Sequence, residues 1–62
     1  MKIEKYLKKK KISILEFSKI VRVPVSSLYH YINGKRTPHI ATALHIEKVT
    51  KKEITVRDLI ND

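Results

Sequence analysis

Apolar residues recur along the chain in short bursts three and four positions apart, and alternating runs longer than four residues are scarce, so the pattern predicts helices rather than strands. In "IEKYLKK", residues 3–9, Ile3, Tyr6 and Leu7 share one face with lysines opposite, which predicts a short first helix. "ISILEF" follows, with Ser13 and, three residues on, Glu16. That spacing makes a capping box, each side chain accepting from the other's backbone N–H, and Ile12 and Phe17 stand where a hydrophobic staple closes over it. A second helix is expected from about Ile14 to Val21, turning Phe17, Ser18 and Val21 inward.

Val23-Pro24 comes next, and because proline is tolerated at a helix's first positions but not inside one, a third helix is expected to begin there and run to about Ile32. Gly34 then supplies the left-handed residue that ends it. Thr37-Pro38 repeats the start signal, with Thr37 as N-cap and Pro38 at the first helical position, and opens a fourth helix to about Val49. Its expected inner face is Ile40, Ala43, Leu44 and Val49. Thr55 with Asp58 forms a further box, with Ile54 and Leu59 at the staple positions, and predicts a fifth helix over roughly Val56 to Ile60. Five short helices joined by brief turns predict an all-α fold, a single domain over residues 1–62 without linker or repeat.

Length and composition narrow the function. A chain of 62 residues buries only about 60% of the surface its unfolded form exposes, and leaves no room for a catalytic cleft between domains. With no cysteine there are no disulfides or Cys-based zinc sites, and a reducing interior is the default setting. No apolar run approaches the roughly 18 residues that span a bilayer, and the lysine-rich Met1 to Lys11 lacks the apolar region of a secretion signal, so a soluble cytoplasmic protein is expected.

The formal charge of +8 is unevenly placed: residues 1–36 hold ten Lys/Arg against two acids, and residues 37–62 hold four against four. The polyanion-seeking half is therefore the N-terminal one. Lysines also simply solubilise small domains, and Lys8 to Lys11 alone reads as a solvated turn as readily as a binding site. Position has to decide. Two helices of about eight residues joined by a tight turn have the geometry of a helix-turn-helix, whose second member can lie in the DNA major groove.

The run "EFSKIVRVPVSSLYHYINGKR" resembles the Cro/cI-type (xenobiotic-response-element) helix-turn-helix family, with Phe17, Ser18, Val21, Val23, Leu28 and Ile32 at the buried positions and Asn33-Gly34-Lys35 at the helix end. The remainder is similar to the tail of small phage Cro and YdaS-like repressors, particularly at Ile46-Glu47, Thr50 and Val56 to Leu59. The resemblance implies a compact five-helix, lambda-repressor-like DNA-binding domain with its helix-turn-helix at about residues 13–33. Two positions depart from the family. Arg22 stands where glycine is usual, so a residue with a side chain would take a positive φ at a cost of about 1 kcal/mol or more. Pro24 stands where Ser or Thr commonly caps, which loses the side-chain cap, fixes φ and allows the third helix to start a residue late.

On that reading Val25, Ser26, Ser27, Tyr29 and His30 face base edges while Leu28 and Ile32 turn to the core. Ser26 and His30, four apart, can reach neighbouring base pairs, and Val25 can pack on a thymine methyl. None of these is the bidentate Arg-to-guanine or Asn/Gln-to-adenine pair, so base preference is not readable here, and part of it can come from DNA shape. Phosphate contacts fall to Lys35 and Arg36 after the glycine, Arg22 in the turn, and Lys9, Lys10 and Lys11 ahead of the second helix, whose N-terminus presents backbone N–H groups. Tyr31 is expected at the core or its edge and Tyr29 toward DNA.

His39 and His45 are six apart, which suits no metal pair, so no metal and no cofactor are expected. Ser26 and Ser27 lie near His30 without an oriented acid or a nucleophile elbow, so no catalytic residues and no enzyme are expected. The leading expectation is a sequence-specific regulator of transcription, a Cro-like repressor that occupies pseudo-palindromic operator DNA as a homodimer, with no small-molecule ligand. The dimer and a phage or mobile-element origin are implied by the resemblance. The dimer patch is assigned to Ile54, Val56, Leu59 and Ile60 or the end of the fourth helix, with Leu15 and Ile20 as a second possibility. The competing expectations are a protein-interaction module, such as an antitoxin-like domain with nonspecific DNA affinity, and an RNA binder. Two tyrosines on one helix make a poor stacking platform for single-stranded RNA.

Overall fold

The capping box at Ser13 and Glu16 is present: the Ser13 hydroxyl accepts from the Glu16 N–H at 3.1 Å, and Glu16 Oε1 accepts from the Ser13 N–H at 3.0 Å. In this computed structural model, which describes residues 1–60, the chain forms α1 (Ile3–Lys10), α2 (Ile14–Val21), α3 (Val25–Ile32), α4 (Ile40–Val49) and α5 (Val56–Ile60). The described residues contain no strand. The second box also forms, with Thr55 N–H donating to Asp58 Oδ2 at 3.0 Å and Asp58 N–H to Thr55 Oγ1 at 3.2 Å.

Helix ends follow one device. Lys11, Arg22, Gly34 and Lys51 all take the left-handed conformation directly after α1, α2, α3 and α4, or one residue later in the case of α3 and α4. Each end is then closed by a backbone bond that reaches back over it: Ile12 N–H to the Leu7 carbonyl, Val23 to Ser18, Lys35 to His30 and Lys52 to Glu47. This is the six-to-one bond of a Schellman motif, which satisfies carbonyls that the helix itself leaves open. A Cβ on Gly34 would meet nothing within 4 Å, so the residue is suited by its φ of +75° and not by space. At Lys11, Arg22, Lys51 and the neighbouring Lys52 a side chain occupies the same region, at roughly 1–2 kcal/mol each. A cation near a helix C-terminus recovers about 0.3–1 kcal/mol through the macrodipole, so the residue type offsets only part of the strain.

The core gathers Ile3, Phe17, Val21, Val23, Leu28, Ile46 and Ile54, with Tyr6, Leu7, Ile12, Tyr31, Val49 and Leu59 packed around it. Tyr6 meets Phe17 with ring centroids 5.6 Å apart and planes tilted by 53°, so α1 is pinned over α2. Helix α2 packs on α3 and α4, and α4 on α5. Thr50 is the buried polar residue among these; its hydroxyl donates to the Ile46 carbonyl at 2.8 Å and accepts from the Ile54 N–H at 3.2 Å, which fixes the turn from α4 into α5.

Helix α4 departs from expectation twice. Thr37 is not its cap and Pro38 not its first residue: His39, with extended backbone, is the N-cap and makes no side-chain cap bond. Pro38 is buried. The inner face of α4 also differs: Ala43 and Ile46 are buried while Ile40 and Leu44 are 58% and 51% exposed. Helix α3 likewise begins one residue beyond Pro24, which serves as N-cap with φ −56° and ψ 145°.

Candidate nucleic-acid interface

Helices α2 and α3 are joined by Arg22, Val23 and Pro24 alone. Arg22 at φ 58° reverses the chain, Val23 is buried beneath it, and the Ser18 hydroxyl donates to the Val23 carbonyl at 2.7 Å. A turn so tied fixes the angle at which α3 leaves α2. The buried Leu28, with half-buried Ile32 and Tyr31 packed on the core, then sets which side of α3 looks out.

That outer side carries Ser26 and Tyr29, both exposed, with half-buried His30 beside them and Val25 and Ser27, also half-buried, at its margins. Sequence reasoning missed Asn33, which is exposed and lies seven residues, two helical turns, after Ser26 on the same side. The i, i+7 spacing was the signal. Asn33 supplies both donors and an acceptor, the combination that pairs with adenine edges.

The two helix N-termini differ electrostatically. At α2 the Ser13 hydroxyl occupies the Glu16 N–H, and the Glu16 carboxylate sits over the first turn. Its carboxyl pKa is lowered, chiefly by the Ser13 N–H that it accepts. A fixed anion there opposes phosphate, so the α2 N-terminus is a poorer anion site than the sequence implied. Helix α3 has no side-chain cap and no acid in its first turn, and Leu28 N–H is the first to reach an intrahelical partner, the Pro24 carbonyl at 3.1 Å. The N–H groups of Val25, Ser26 and Ser27 therefore have no carbonyl within the helix.

The cations assigned to phosphate fall into two sets. Arg22, Lys35 and Arg36 are exposed around α3, and the N–H groups of Lys35 and Arg36 both donate to the His30 carbonyl, at 2.9 and 3.3 Å, which holds the loop after Gly34 against the helix end. Lys9 and Lys10, by contrast, are engaged: their ammonium groups lie 2.7 and 2.9 Å from the two oxygens of Glu53. The Lys9 hydrogen bond first, and then that of Lys10, hold the Glu53 carboxyl down at about 2. Lys11 is exposed at the end of α1.

Packing takes Ile54 out of the assigned dimer patch. Ile54 is 0% exposed and belongs to its own core, and Leu59 packs half-buried against that core, because the staple over the Thr55–Asp58 box turns both inward. Val56 is half-buried and Ile60 exposed. The large exposed apolar side chains are instead Leu15 and Ile20 on α2, Ile40 and Leu44 on α4, Tyr29 and Ile60.

A family model described as helix-turn-helix matches residues 3–56, a span from the start of α1 to the start of α5. The chain belongs to the helix-turn-helix family, of the Cro/C1 type. As members of that family do, this helix-turn-helix protein binds DNA as a regulator. No curated protein and no solved structure matches the chain. Among the described residues no helix is long and apolar enough to cross a membrane.

Proposed function

We propose that residues 1–62 act as one helix-turn-helix unit that reads a specific double-stranded DNA sequence, as a cytoplasmic Cro-like repressor occupying a pseudo-palindromic operator as a homodimer. The observation that carries the reading is the outer side of α3, which carries Ser26, Tyr29 and His30 after an uncapped, acid-free start, with Asn33 just past its end and Leu28 anchoring the opposite side. Side chains of that kind read base edges, and Arg22, Lys35 and Arg36 set the register through phosphates. Dimerisation belongs to the same proposal, with Ile40 and Leu44, Leu15 and Ile20, or Ile60 as the apolar side chains free to meet a second copy.

The test is binding of operator and random duplexes by substituted proteins. His30→Ala or Ser26→Ala, each deleting a base-reading group, should narrow the gap between operator and random DNA by about 1–3 kcal/mol. Lys35→Ala should weaken both alike and lower the salt slope by about 1. Equal weakening on both duplexes from His30→Ala would overturn the readout assignment, and one protomer per operator duplex would overturn the dimer.

A further inference from the structure

Glu53 sits among lysines drawn from two distant parts of the chain. Its carboxylate takes Lys9 and Lys10 from the end of α1, and Lys51 and Lys52 immediately precede it in the turn after α4. Lys10, Lys51 and Glu53 line one shallow groove together with Ile12, Ile20 and Val49. Lys9, Lys10, Lys51 and Lys52 are all exposed. Among the described residues, Glu53 is the acid paired with Lys9 and Lys10.

Two of those lysines occupy a backbone conformation that favours glycine, Lys51 at φ 54° and Lys52 at φ 67°. Helix-end electrostatics offsets only part of that strain, and it acts on the last turn, not on a second consecutive left-handed residue such as Lys52. Lysines at two consecutive left-handed positions place ammonium charge on this turn at a conformational cost. Lys9 and Lys10 lie at the end of α1 that leads through Lys11 into α2, and α2 is the first helix of the helix-turn-helix, the one that crosses the DNA backbone in such motifs.

We propose that this lysine group is a second phosphate-binding surface, in which Glu53 holds the place of a DNA phosphate until duplex displaces it. In the free protein Glu53 keeps Lys9 and Lys10 occupied; on duplex the phosphodiester takes both ammonium groups, Glu53 is released to solvent, and Lys51 and Lys52 extend the contact. Glu53 thereby acts as a built-in brake on sequence-independent affinity. The inference rests on duplex DNA being the partner, as in the reading of α3.

The test is the affinity of a random-sequence duplex across a salt series for the unsubstituted protein, Glu53→Gln and the double variant Lys51→Ala/Lys52→Ala, with circular dichroism melts confirming each fold. Glu53→Gln should bind several-fold more tightly with a steeper salt slope, since phosphate then displaces counterions in place of a carboxylate. The double variant should bind more weakly, with the slope reduced by about 2. A double variant with unchanged affinity and slope overturns the proposal, and so does a folded Glu53→Gln protein that binds no more tightly; a surface serving an acidic protein segment would give that result. Were the unsubstituted protein to bind no duplex at all, the reading of α3 would fail as well, an outcome distinct from a failure confined to these lysines.

Discussion

The Ser18 hydroxyl donates to the Val23 carbonyl at 2.7 Å, spanning the left-handed Arg22 between them and locking the turn that aims α3. The Val23 side chain is buried and the bond partly so, and an acceptor deprived of its donor there bears a desolvation penalty. Ser18→Ala is expected to lower stability by about 1 kcal/mol. Urea unfolding checks this: the midpoint should fall while the slope with denaturant is unchanged. An unshifted midpoint would mean the hydroxyl does not hold the turn.

Arg22→Gly separates conformation from charge. Glycine relieves the φ of 58° but adds freedom to the unfolded chain, and the net gain should be below about 1 kcal/mol, a rise of a few degrees in melting temperature. Arg22→Ala, which keeps the Cβ, should give no such rise. Both should weaken DNA binding if the guanidinium meets phosphate, so a stabler and weaker-binding Gly variant is the predicted signature.

Thr50 joins α4 to α5 through a hydroxyl that both donates and accepts. Thr50→Val preserves shape but strands the Ile54 N–H inside the core, which should lower stability by about 1–3 kcal/mol. Thr50→Ser should recover most of that stability, because it restores the hydrogen bonds and omits only a methyl. Equal destabilisation by both substitutions in denaturant titrations would assign the effect to packing alone.

Acid should loosen the fold at two carboxylates. Glu53 is held at about 2 by Lys9 and then Lys10, and Asp58 at about 2 by the Met1 ammonium and then the Thr55 N–H. Both folded values lie below the ordinary carboxylate range. Their stabilisation is therefore complete above the unfolded values near 4 and drains as pH falls toward 2. Melting temperature should be flat from pH 7 to about 5 and decline below it. The decline should be shallower in a Glu53→Gln/Asp58→Asn protein, and an identical decline would place the acid sensitivity elsewhere.

Local chemistry made most of the helices legible. Ser13 with Glu16 and Thr55 with Asp58 declare helix starts through reciprocal bonds between near neighbours, and Gly34 declares an end through its φ. The outward side of α3 follows from the same short-range periodicity once Leu28 is placed inside. What escapes such a reading depends on how distant parts of the chain meet. The inner face of α4, which buries Ala43 and Ile46 and leaves Ile40 and Leu44 outside, is set by how α4 packs against α2 and α5. Nothing local announces that Glu53 meets Lys9 and Lys10 across 44 and 43 positions of sequence. Ile54 reads as available for a dimer because a staple residue and an interface residue share one residue type, and the core claims it.

Selection of bound duplexes from a random DNA pool at near-physiological salt, followed by sequencing, tests the central claim most directly. The account predicts an enriched two-fold-symmetric motif with half-sites about one helical turn apart, as a dimer presenting two copies of α3 requires. Recovery of no motif, with binding that depends on salt alone, would contradict it and leave the charge of +8 as the whole of the attraction to DNA.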